Sequence, residues 1–136
     1  MNGAREDWRL QVLEGMGAFN RLVGLQPEAV GQGWCRVVCP IRPEHLNPQG
    51  GVHGGMSATL MDVAAGISAI YAGEGARPIV TRSASAHYLR PLKGGSMRAE
   101  GRVVKAGRHI CLSRVEVYDE EDRLCCVGDF EIFYTD

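Results

Sequence analysis

Asp62 is the only charged side chain across residues 54–73, GGMSATLMDVAAGISAIYAG. A carboxylate on an apolar helix costs several kcal/mol to bury unless it is paired, hydrogen-bonded or neutralised. No lysine or arginine stands one helical turn away. Two roles are therefore open to it: an acceptor for backbone amides or a neighbouring turn, or a catalytic base.

Just upstream stands Asn47-Pro-Gln-Gly-Gly-Val-His-Gly-Gly55. Glycines permit close backbone approach, and a helix start offers amide donors with no partner inside the helix. Such donors, at the positive end of the helix, suit the charge that develops on a carbonyl oxygen under attack. Gly54 is the candidate donor. A glycine pair at a helix start also occurs for purely conformational reasons, so the weight rests on Asn47, His53, the glycines and Asp62 standing together. Gly54 and Asp62 are eight residues apart, which is roughly 12 Å along a helix axis. One chain cannot easily focus both on one carbonyl. Two such helices packed antiparallel across a twofold axis would place the Asp62 of one beside the Gly54 of the other and make two equivalent sites.

The elements that position these residues follow from composition and spacing. Residues 54–73 are too long for a strand and rich in alanine, leucine and methionine, so they read as a central helix. With no wide polar face, that helix should be buried. Upstream, Trp8, Val12, Met16, Phe19 and Val23 recur at helical spacing, which predicts an amphipathic helix over about 7–23. Residues 33–42 read as a strand, followed by a proline-containing loop. Residues 79–89, 96–105, 109–118 and 123–134 read as four further strands, and the short turns between them favour antiparallel neighbours. The expected class is α+β, with one curled antiparallel sheet wrapped around one long helix.

The chain has 136 residues, 45% of them hydrophobic and 23% charged, which fits one folded domain over 1–136. A net charge of −1 without a basic stripe argues against nucleic acid. The charged opening MNGAREDWRL and the lack of a long apolar run point away from export and from a membrane span, so a cytoplasmic protein is expected. Cysteines 35, 39, 111, 125 and 126 lack the spacing of a zinc or redox motif. They read as core thiols, and no metal is expected.

The stretch Asn47-Pro-Gln-Gly-Gly-Val-His-Gly-Gly-Met-Ser-Ala-Thr-Leu-Met-Asp62 resembles the motif of hotdog-fold acyl-CoA thioesterases, the phenylacetate-degradation and 4-hydroxybenzoyl-CoA thioesterase group. The resemblance continues through Thr81-Arg-Ser-Ala-Ser-Ala-His-Tyr-Leu-Arg-Pro91 and Gly101-Arg-Val-Val-Lys-Ala-Gly-Arg108 and covers about 46–133. It implies a hotdog fold and hydrolysis of an acyl-CoA to free acid and CoA. Asp62 would be the general base or nucleophile, the Gly54 amide the oxyanion donor, and Asn47 an aid in placing the carbonyl or water. Thr81 would take the place of the strand hydroxyl that holds the water, against the plain alternative of an ordinary strand threonine. His53 would either touch substrate or shape the helix start.

CoA contacts are implied at Gly55, Arg90, Lys105, Gly107 and Arg108, though basic residues at hairpin turns are often only solvated. CoA enters as part of the substrate, with no separate cofactor. A homodimer with shared sites, paired further into a homotetramer, is expected. Two other readings stay open: a hotdog hydratase or dehydratase using His45 or His53, and a non-catalytic acyl-CoA binder. The acyl group, aromatic or aliphatic, depends on how Met56, Leu60, Tyr71 and Tyr88 shape a pocket.

Overall fold

The computed structural model describes residues 17–136. Helix α1 (Gly17–Val23) leads into strands β1 (Gln26–Gly31) and β2 (Trp34–Pro40). The long helix α2 (Gly54–Ile70) follows, and then β3 (Ile79–Tyr88), β4 (Ser96–Ala106), β5 (Ile110–Asp119) and β6 (Leu124–Tyr134). The six strands form one sheet in the order β1-β2-β4-β5-β6-β3, with every pairing antiparallel. This is the α+β arrangement of the hotdog fold, as expected. Part of the expected helix 7–23, residues 7–16, lies outside the described residues.

β1 has no counterpart among the expected strands. It is a short edge strand with Pro27 within it and a register shift between Pro27 and Ala29, and edges tolerate the proline and bulge that obscure the strand pattern. α2 stops at Ile70 instead of 73, with Tyr71 as its C-cap.

The helix packs on alternating inward side chains of the sheet. Leu60, Met61, Ala64 and Ala65 meet a wall that includes Val37, Ala99, Val115, Val117 and Ile132, all fully or almost fully buried. All five cysteines are free and buried, and the Cys35 thiol donates to the Ala64 carbonyl at 3.0 Å. Burial pushes that thiol up to about 12, so it stays protonated.

Close approach of helix and sheet depends on Gly101. A Cβ there would sit 2.5 Å from the Ala64 carbonyl oxygen and 2.9 Å from its carbon. Those are backbone atoms that cannot turn away, so Gly101→Ala is expected to destabilise the fold by about 1–3 kcal/mol, the usual range for overpacking. A lower urea midpoint with an unchanged slope would show it.

α2 carries the chain from β2, near one edge of the sheet, to β3 at the other edge. β3 has a free side, and all its residues except Ile79 and Ala86 are exposed. The second half of α2 is enclosed, with Ala64 to Ala69 all buried, whereas the first half is open on one side, so Gly54, Gly55 and Asp62 are exposed. The expectation of a helix buried all round is corrected for that first half, whose open face carries Gly54, Gly55, Ala58, Thr59, Asp62 and Val63. Among the described residues, no helix is long and apolar enough to cross a membrane.

Candidate active site

The start of α2 is organised by His53. Its backbone is extended, with φ −58° and ψ 135°, and its side-chain Nδ1 accepts the Gly55 N–H at 2.9 Å. Its carbonyl oxygen accepts the N–H groups of Met56 and Ser57. The amides at positions 55, 56 and 57 are thereby taken. The Gly54 N–H has no partner among the described residues, which leaves it as the free donor at the positive end of the helix. His53 therefore shapes the helix start. Because Nδ1 accepts, the ring proton sits on Nε2.

Asn47 braces the same turn. Its Oδ1 accepts the N–H groups of Gln49 at 2.9 Å and Gly51 at 3.3 Å, and its side chain lines a cavity of about 360 Å³ beside Gly54. Tyr88, at the end of β3, donates its hydroxyl to the Gly54 carbonyl at 3.3 Å and walls the same cavity. Arg90 and Lys93 also line it. Lys93 was missed in the sequence because only the turn after β3 brings it beside Asn47.

Asp62 is exposed rather than buried, the second correction to the expected helix. It lies on the side of α2 that looks toward β3, where the Thr81 hydroxyl donates to its Oδ1 at 2.7 Å. The structure brings Asp62 and Thr81 together, and separately Asn47, His53, Gly54, Gly55, Tyr88 and Arg90. The two groups stand at different levels of one helix, with the roughly 12 Å of helix rise between Gly54 and Asp62.

Lys105, Gly107 and Arg108 sit at the β4–β5 hairpin, beside the opposite end of β3. Ile79 pairs with Tyr134, whose N–H reaches the His109 carbonyl, whereas Tyr88 pairs with Cys126. A strand of ten residues spans about 30 Å, so within one chain this hairpin is remote from Arg90. Arg77 fixes the hairpin by donating from Nη2 to the Arg108 carbonyl at 2.7 Å while pairing with Asp136. Nothing in the local sequence signals that brace, because its partners lie 31 and 59 residues away.

His45 is buried with both ring nitrogens engaged. Nδ1 accepts the Arg42 N–H at 3.0 Å and Nε2 donates to the Val23 carbonyl at 2.8 Å. With both nitrogens bonded to backbone, His45 has none left to act on a substrate. Of the four residues expected to shape an acyl pocket, Leu60 is wholly buried in the core. Met56 borders a second cavity, of about 660 Å³, on the α1 side of the turn.

The family model described as Thioesterase superfamily matches residues 49–126, a span that contains this turn, Asp62, Thr81 and the hairpin. A putative esterase of Haemophilus influenzae is 28% identical over 106 residues, 78% of this chain and 77% of its own length. An Escherichia coli protein named 1,4-dihydroxy-2-naphthoyl-CoA hydrolase is 25% identical over 119 residues, 86% of this chain and 88% of its own. Among solved structures, the conserved protein PA5202 of Pseudomonas aeruginosa superposes with a TM-score of 0.82 at 32% identity, covering 87% of this chain and 94% of the other.

Proposed function

The chain belongs to the thioesterase superfamily, and from that premise we propose that it hydrolyses acyl-CoA thioesters at two sites, each shared between two subunits of a dimer. The observation that carries this reading is the unpartnered Gly54 N–H at a helix start that opens, like Asp62, toward the free edge strand β3. In the reaction, the oxygen of water, or first that of Asp62, bonds to the acyl carbon. The carbonyl oxygen takes up negative charge against the Gly54 amide, and the C–S bond then breaks to release CoA, which takes up a proton as thiol. Attack by water gives the free acid directly, whereas attack by Asp62 leaves an acyl–Asp62 anhydride that a water hydrolyses to the acid and free Asp62. Asp62 takes the proton of water in the general-base form. Asn47 orients the carbonyl or the water. The CoA-hydrolase name carried by the Escherichia coli relative supports CoA as the leaving group, and CoA serves here as part of the substrate rather than as a cofactor.

The dimer forms through β3. A strand exposed along its free side and on both faces is a template for pairing with a second copy. Antiparallel pairing across a twofold sets Asp62 of one subunit against Gly54 of the other. It also brings the Lys105–Arg108 hairpin of the partner subunit toward Arg90 and Lys93, so the cations for the CoA phosphates converge from both chains. The five buried free thiols suit a reducing cytoplasm. Two dimers pair into a tetramer over the outer face of the sheet, where Val80, Phe133 and Ile110 form an exposed apolar row across three strands. Phe133→Arg is expected to halve the mass measured by light scattering.

Free-thiol release from a panel of acyl-CoA esters tests the activity. Release from none of them would overturn it and leave a non-catalytic binder. Thr81 holds the Asp62 carboxylate, and a hydrogen bond to a charged group contributes about 1.5–3 kcal/mol. Thr81→Val is therefore expected to lower kcat by about tenfold to a hundredfold, while Thr81→Ser, which keeps the hydroxyl, retains most of it.

A further inference from the structure

Arg77, just ahead of β3, reaches the turn of the β4–β5 hairpin from outside it. Its Nη2 donates to the Arg108 carbonyl at 2.7 Å and its Nη1 to the Gly107 carbonyl at 3.5 Å. The same guanidinium forks onto Asp136, Nε to Oδ2 at 2.9 Å and Nη2 to Oδ1 at 2.8 Å, and its Cζ lies 3.7 Å from the centre of the Tyr134 ring. This clamp stands on the core. The Arg77 N–H bonds the Ile70 carbonyl at 3.1 Å at the end of α2, and the buried Tyr134 donates its hydroxyl to the Ala69 carbonyl at 2.8 Å. The hairpin end itself is open to solvent, with residues 104–110 all exposed, and it carries Lys105 and Arg108. An ion pair whose side chains are 31% and 41% exposed contributes little to stability. What the clamp fixes is the turn.

We infer that Arg77 is a positioning residue for the CoA arm of the substrate: it locks the turn at 106–109 and so aims Lys105 and Arg108 at the phosphates of a CoA whose thioester lies at the other subunit's helix start. The inference rests on the thioesterase reading above, where this hairpin meets Arg90 and Lys93 across the dimer, and adds the group that fixes the hairpin. The guanidinium itself does not contact CoA, since its three nitrogens are engaged and its face is taken by the Tyr134 ring. Binding a phosphate removes rotamer freedom from a lysine or arginine, and a loose turn would add backbone freedom to that loss. With Arg77 in place the turn is already ordered before CoA arrives. Arginine suits the task because its planar fork serves a carboxylate and backbone carbonyls at once, whereas a lysine ammonium has no such plane.

Titration calorimetry of CoA into the full chain reads this role without turnover. The Kd for CoA is expected to rise about tenfold in Arg77→Ala, the order of one charged hydrogen bond lost. A rise of about threefold is expected in Asp136→Asn, where the fork loses one acceptor and the charge of its partner. In a background of Lys105→Ala and Arg108→Ala, adding Arg77→Ala is expected to change the Kd by less than about twofold, because the cations it aims are gone. Turnover gives a second readout. In Arg77→Ala, kcat/KM for an acyl-CoA is expected to fall about tenfold relative to that for the same acyl group on N-acetylcysteamine, which lacks the nucleotide phosphates. A purely structural role would weaken both esters alike. Equal losses on the two esters, a Kd for CoA unmoved in both single variants, no binding of CoA to the wild type, or a full tenfold loss in the background without the cations would each overturn the assignment. Thiol release from no ester, with CoA binding weakened as expected, would instead remove the hydrolase reading and leave Arg77 its role.

Discussion

Asp62→Asn is expected to lower kcat for acyl-CoA hydrolysis by about a thousandfold while leaving the fold unchanged. The magnitude is that of a positioned general base, roughly a hundredfold to ten-thousandfold. Asparagine keeps the shape of the side chain and an Oδ1 that can still accept the Thr81 hydroxyl, now 2.7 Å away, so the local geometry survives. What it loses is charge and basicity, and with them the ability to take a proton from water or to attack carbon. Because Asp62 is exposed in the single chain, the substitution should alter stability by no more than about 0.5 kcal/mol. Thiol release and a thermal melt run on the same preparation separate the two effects. If turnover stays within tenfold of wild type while the melt is unchanged, another group carries the chemistry.

The parts of this site that could be read from the sequence are those encoded within one short stretch. Residues 47–62 hold the turn, the donor and the acid in continuous order, and the antiparallel pattern downstream supplied four of the six strands. β1 escaped because Pro27 and a bulge break its alternation, and an edge strand tolerates both. The exposure of Asp62 escaped for a different reason. An apolar helix reads as buried all round, yet here only the second half of α2 is enclosed within the chain, and the first half, which carries Gly54 and Asp62, is open on one side. Sequence periodicity counts apolar faces and does not say which molecule covers them. The remaining misses are contacts across long separations. Arg77 braces a hairpin 30 residues away, Lys93 joins the Asn47 cavity through the turn after β3, and Phe19 and Leu22 line one cavity with Met56.

Gly54→Pro should reduce kcat by about a hundredfold to a thousandfold, the loss that follows removal of one oxyanion donor, and it does so without deleting a side chain. The position suits proline. Gly54 is the first residue of α2, where a missing N–H breaks no helical bond. His53 before it is already extended at φ −58° and ψ 135°, the conformation proline imposes on its predecessor. A Cβ at Gly54 would meet the Tyr88 ring at an ordinary 3.7 Å. With both variants in hand, the shared-site geometry becomes measurable. A dimer of one Asp62→Asn subunit and one Gly54→Pro subunit contains one site with both lesions and one with neither. Refolding the two variants together at equal concentration makes half of the dimers mixed. Activity should therefore recover to about one quarter of wild type from two preparations that are each nearly inactive. If acid and donor worked within a single chain, every site in the mixture would carry a lesion and no recovery would appear. Mixed dimers verified by a mass tag on one variant, with activity still at the level of the parents, would reject the twofold arrangement and require Asp62 and Gly54 to act on different groups of the substrate.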